Sequence, residues 1–173
     1  MVSNFLVIDP GDVHQGTGYF EIELTPEPAL VRCWTRDLNR ETLEDLVESA
    51  ELDAIVMEEF RLYPELAREQ GYSNFPTVEV IGSIRYIARR RGIPYFLQGT
   101  SLKKKARRIG ERLGCPGGMR MLGAGRNRYR GWDFNGPSQH ERDATAHGVW
   151  WAFNNDLSSV KGLHYKRECE VKL

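Results

Sequence analysis

No stretch of the 173-residue chain approaches the ~18 consecutive apolar residues that mark a membrane span. The three cysteines, Cys33, Cys115 and Cys169, form neither a C-x-x-C pair nor an even set, which argues against a disulfide framework. Reduced thiols in a cytosol-like compartment are the economical reading. The start, "MVSNFLVIDPG", has no basic leader and no cleavage signal, so it reads as the first strand of the fold. Internal repeats and low-complexity blocks are absent too. What remains is an ordinary soluble composition, 40% hydrophobic and 28% charged, in a chain long enough to bury one core without staples. The expectation is one domain over 1–153, a polar C-terminal tail over 154–173, no contact with a membrane, and a cytoplasmic location.

A net charge of one sign is lacking as well: 24 basic residues balance 24 acidic ones. The balance hides a segregation. Residues 101–130 hold ten of the basic residues and a single acid, Glu111. Charge runs are often just solvated helix faces, but here they interleave with Tyr129 and Trp132 in a glycine-rich setting. That combination points to a polyanion, and nucleic acid is the expected partner. Lys103, Lys104, Lys105, Arg107 and Arg108 would contact phosphates from a helix opened by Ser101, and Arg126, Arg128 and Arg130 from the loop after it.

The apolar pattern orders the rest. "NFLVID" is a buried strand broken by Pro10-Gly11, "GYFEIEL" alternates as a half-exposed antiparallel strand, and "ALVRCW" follows as a third. Leu43, Leu46, Val47 and Ala50 mark a helical face between Asn39 and Ala50. "DAIVMEE" is a fourth strand. Pro76 to Arg91 reads as a helix bearing Val80, Ile81, Ile84, Ile87 and Ala88, stopped by Gly92, and "IPYFLQ" is a fifth strand. The apolar face of the Pro76–Arg91 helix is wide for a helix on one side of a sheet, so it is also a candidate interface between two copies. Residues 114–137, with seven glycines and two prolines, read as a long functional loop. Ser138 and Glu141 then fit a capping box, starting a helix at Gln139. His140, Asp143, Ala144, His147 and Trp151 share one of its faces.

Two strands end in acids, Asp9 after "FLVI" and Glu58-Glu59 after "DAIVM". If they are neighbours, their carboxylates meet at the edge where open α/β sheets bind ligands. Like charges side by side ask for a hard cation. With His140 and Asp143 the set suits Mg²⁺ or Mn²⁺ better than a structural zinc. Each residue alone has a plain explanation: Asp9 as a turn former, His140 and Asp143 as first-turn residues favoured by the helix dipole. The conjunction carries the weight.

That conjunction resembles a family. "VIDPGDVHQGTGYF" is similar to the first hairpin of RuvC-type Holliday-junction resolvases, "DAIVMEEF" to their fourth strand, and "HERDATAHG" to their final acidic helix. The resemblance covers roughly residues 3–153, and the compact chain is similar in style to phage-encoded members, which would work in the host-cell cytoplasm. It implies a ribonuclease-H-like α/β fold with a mixed five-stranded sheet, three antiparallel strands first and crossover helices after. It makes Asp9, Glu58, His140 and Asp143 the catalytic, metal-binding set. The implied chemistry is hydrolysis of a phosphodiester with two Mg²⁺ or Mn²⁺ ions ~4 Å apart, one activating water and one stabilising the leaving oxygen. The implied assembly is a homodimer that nicks a four-way junction symmetrically.

The chain departs from the family in the added "DVHQG" and in Arg61, which stands where some members carry an aromatic wedge; Phe60, Leu62 and Tyr63 are its neighbours. Alternatives are a nuclease of the same fold acting on RNA–DNA hybrids, forks or flaps, a catalytically silent DNA-binding protein, and an actin-like ATPase, for which the chain is short. His140 ligates only as a neutral imidazole. With its ordinary value near ~6.5, cleavage should fall below about that pH.

Overall fold

Strand β1 (Val2–Asp9) holds Phe5, Leu6, Val7 and Ile8 fully out of water, and their alternation sends them to two different layers. The computed structural model describes residues 2–23, 30–60, 75–102, 105, 119–122, 129–132, 138–154 and 162–165. Strands β2 (Gln15–Glu23) and β3 (Leu30–Leu38) continue the sheet antiparallel from β1, and β4 (Ala54–Glu58) and β5 (Tyr95–Gln98) extend it in parallel on the other side. Helix α1 (Arg40–Ser49) lies between β3 and β4 in the chain, and α2 (Pro76–Arg91) between β4 and β5.

All five expected strands are present, in the order β5-β4-β1-β2-β3, and a sixth is added. Strand β8 (Gly162–Tyr165) pairs in parallel with β3, inside the segment expected to be a polar tail. Nothing in its sequence period announces it, because a strand that docks on an edge takes its stability from the partner strand. The glycine-rich segment is not a bare loop either. Within it β6 (Met119–Leu122) and β7 (Tyr129–Trp132) form an antiparallel pair.

Helices α1 and α2 cover one face of the sheet. Leu6, Ile8, Ile55 and Met57 from the strands meet Leu43, Leu46 and Val47 of α1 and Val80, Ile81, Ile84, Ile87 and Ala88 of α2. Burying such a side chain fully contributes ~1.5–3 kcal/mol, so this layer is a large source of stability. It also corrects one expectation. The wide apolar face of α2 is core, serving the sheet and α1 together, and it is not an open interface; Val78 and Tyr86 are the large apolar side chains that α2 exposes.

Local signals explain the helix bounds. Asn39 caps α1 by accepting from Thr42 N–H at 2.8 Å, and Gly92 closes α2 in the left-handed region at φ 70°. On the opposite face lies α3 (Gln139–Asn154), which packs across β1, β2, β3 and β4. Its Trp151 stacks on Phe5 with centroids 4.5 Å apart, and on Phe96 at 5.6 Å.

Candidate active site

Strand alternation decides which side the acids face. Leu6 and Ile8 of β1, and Ile55 and Met57 of β4, point to the α1/α2 layer. Asp9 and Glu58 are one position out of phase with them, so they point to α3. The parallel register pairs Ile8 with Met57, which brings the two acids side by side at the C-terminal edge. Gln98 ends β5 opposite Glu58 in the same register and faces the same way.

Helix α3 is held over this edge at its first turn. Ser138 N–H donates to Glu141 Oε2 at 2.6 Å, and Glu141 N–H donates back to Ser138 Oγ at 3.1 Å, the reciprocal capping box. Ser138 Oγ also donates to Asp37 Oδ1 at 2.8 Å, tying the helix start to the end of β3. Gly16 of β2 allows the close approach: a Cβ there would sit 2.1 Å from the carbonyl carbon of His140. The bend before β2 is fixed by Gln15, whose buried amide oxygen accepts from Gly11 N–H at 2.9 Å.

The four expected residues lie on elements that reach this edge, and among them His140 is in contact with Asp9. Asp9, Glu58 and Asp143 are 5%, 9% and 9% exposed. His140 is half-buried, and its Nδ1 lies 2.6 Å from Asp9 Oδ2. The hydrogen bond to Asp9 raises the His140 pKa above 6.5. Burial opposes that rise, and the charges of Asp9, Asp37 and Asp143 add to it. Its ordinary value therefore does not apply in the metal-free protein. Asp143 Oδ2 accepts from the Gln139 amide at 3.0 Å. Among the described residues, no three such side chains converge so as to hold a metal ion in this arrangement. Asp9 is instead held by His140, and Asp143 by Gln139.

One turn below Asp143, His147 is fully buried. Its Nδ1 lies 2.8 Å from Gln98 Oε1 and its Nε2 lies 3.4 Å from Glu58 Oε2. The helical spacing from Asp143 to His147 was visible in the sequence. Gln98 and Asp37 carried no signal, because their roles depend on which strands are neighbours.

Of the expected phosphate contacts, Lys105 is exposed, with Nζ 5.5 Å from the centroid of the Trp150 ring on α3, and Arg130 belongs to β7. Lys103, Lys104, Arg107, Arg108, Arg126 and Arg128 lie outside the described residues, as do Arg61, Leu62 and Tyr63. Phe60 is described, exposed at the end of β4 with its ring 5.5 Å from that of Phe75.

Among solved structures, the chain is similar to RuvC of Thermus thermophilus, with a TM-score of 0.60, 16% identity, and coverage of 92% of this chain and 98% of that one. It is similar also to T. thermophilus RuvC in complex with Holliday junction substrate, with a TM-score of 0.58, 19% identity, and coverage of 88% and 94%. The chain has the RuvC fold. That is the ribonuclease-H-like arrangement expected from the order of the motifs, and the likeness to RuvC now rests on the backbone as well as on I-D-P-G and the final helix. A weaker likeness is to the yeast mitochondrial Holliday junction resolvase Ydc2, at 15% identity over 92% of this chain and 80% of that one, with a TM-score of 0.46. No family model and no curated protein matches the sequence.

Proposed function

We propose that this chain is a divalent-metal-dependent endonuclease that resolves four-way DNA junctions by paired nicks, acting as a homodimer. The observation that carries the reading is the burial of Asp9, Glu58 and Asp143 together with His140 at one edge of a RuvC-fold sheet. The donor set fits hard cations: carboxylate oxygens and one imidazole, without a thiolate. Crowded carboxylates at a strand edge are costly unless positive charge offsets them, and His140 supplies only part of it.

Bound Mg²⁺ or Mn²⁺ would supply an activated water and a stabilised leaving oxygen. The chain's own contribution is placement. Asp9 and Glu58 are fixed by the register of β1 and β4, and Asp143 by the capped first turn of α3. His140 keeps Nδ1 on Asp9 and leaves Nε2 beside the Gly11 turn, at the rim where a phosphate would arrive. Neither serine nor cysteine is needed as a nucleophile, since bound metal would supply the activated water.

DNA would dock along Lys103, Lys104, Lys105, Arg107 and Arg108 and along Arg126, Arg128 and Arg130. The likeness to RuvC bound to a Holliday junction supports branched DNA as the substrate. The test is to incubate labelled four-way junction, fork, RNA–DNA hybrid and linear duplex with and without Mg²⁺ or Mn²⁺, and to map the nicks. Symmetric nicks confined to the junction are expected. Cleavage confined to hybrid or fork would replace the substrate, and binding without cleavage in either metal would make the chain a silent DNA-binding protein.

A further inference from the structure

A fully buried imidazole sits where the stripe of α3 otherwise places alanine and tryptophan. Burying that ring is costly unless both nitrogens are partnered. His147 Nδ1 has Gln98 at 2.8 Å, while Nε2 is buried, makes no hydrogen bond to the described residues, and lies 3.4 Å from Glu58 Oε2. Gln98 and Glu58 are register partners at the ends of β5 and β4, so one ring from α3 bridges both strand ends.

We propose that His147 is a positioning residue of the carboxylate site: it presents an Nε2–H to Glu58 Oε2 and thereby sets how the Glu58 carboxylate is turned towards a cation. The inference rests on the metal-site reading above. A bare Nε2 would aim its lone pair at a carboxylate oxygen inside a buried layer, which is repulsive. The two ends of the Gln98 amide are interchangeable in shape; turned over, the amide donates to Nδ1 and the ring carries its proton on Nε2, against Glu58. A core histidine of purely structural use would accept any polar partner at Nε2, whereas here that place is taken by a carboxylate of the site.

The test is Mn²⁺ affinity without DNA, read by electron paramagnetic resonance of the free ion, alongside thermal melting. The forms compared are the unaltered protein, His147→Gln, His147→Asn and His147→Leu. Glutamine places an amide N–H near the position of Nε2, and asparagine near that of Nδ1. His147→Leu and His147→Asn should bind Mn²⁺ about 10- to 100-fold more weakly, as losses of outer partners typically do, whereas His147→Gln should recover most of the affinity. Unchanged affinity in folded His147→Leu and His147→Asn, or no recovery in His147→Gln, overturns the proposal. An unaltered protein that binds no Mn²⁺ overturns the metal site itself, and this inference with it. Should His147→Leu and His147→Asn fail to fold, the ¹⁵N resonances of the ring in the unaltered protein decide. A protonated Nε2 is expected, and a bare Nε2 overturns the assignment.

Discussion

Gly16 and the backbone of His140 are in such close contact that a single methyl group would not fit between them: a Cβ on Gly16 would lie 2.1 Å from the His140 carbonyl carbon and 2.3 Å from its oxygen. Both neighbours are main chain, one in a sheet and one in a capped helix, so neither can turn aside. Gly16→Ala should push the first turn of α3 off the sheet. Overpacking of this kind costs ~1–3 kcal/mol. The loss should appear as a lower urea midpoint together with lost cleavage. An unchanged midpoint would show that the helix relocates without penalty.

Asp143→Asn keeps the shape of the side chain and removes the charge a cation needs. Junction cleavage should drop by more than the ~100-fold that marks the loss of an outer partner at a metal site. Junction binding, measured by gel shift in Ca²⁺ or without metal, should persist. Loss of binding in parallel with cleavage would assign Asp143 to DNA docking instead.

The contact between His140 and Asp9 should make the metal-free protein pH-sensitive in a defined direction. The folded pKa of His140 is raised above 6.5, chiefly by the hydrogen bond to Asp9. A raised folded value means the stabilisation is fully present below the unfolded pKa of ~6.5 and is lost as pH rises through the folded value. In EDTA, the melting temperature of the native protein should therefore exceed that of His140→Gln most at about pH 6. The gap should close as pH is raised above neutral. A gap that is flat or widens with pH would contradict the pairing.

Replacing Arg126, Arg128 and Arg130 together by alanine tests the basic segment. Each phosphate contact contributes ~0.9 to the slope of log affinity against log salt on duplex DNA, so three lost contacts should flatten it by about 2.7. An unchanged slope would make the segment a connector.

The dimer can be tested at Tyr86, 66% exposed on the outer face of α2. Because the buried face of α2 is core, association through this helix would have to use Val78, Gly82 and Tyr86. Tyr86→Glu should shift sedimentation of a micromolar sample towards monomer and leave the melting temperature unchanged. If the unaltered protein is itself a monomer, with and without junction DNA, the homodimer fails.

Much of this architecture was legible in the sequence because the decisive signals are local. Asn39 and Gly92 bound their helices by capping, the Ser138–Glu141 box placed the start of α3, and an acid after a short apolar run located the sheet edge twice. The less legible parts depend on partners far away in the chain. Strands β6, β7 and β8 are four residues each, too short for alternation to stand out against glycine and charge. The apolar face of α2 looked too wide for a single sheet because it packs on α1 as well. The contact of Gln98 with His147 needed the order β5-β4-β1 before it had any meaning.

The stripe of α3 from His140 to Trp151 descends about 16 Å at ~1.5 Å per residue. It begins in water beside Asp9 and ends against Phe5. Dissolved ions reach the half-exposed upper rung and not the buried lower one, and salt weakens exposed ion pairs more than buried ones. Ionic strength is thus a depth gauge for this helix. Added inert salt should erode the His140–Asp9 contact while leaving the His147–Glu58 contact nearly untouched, and the two ends of one helix will answer the same solvent differently.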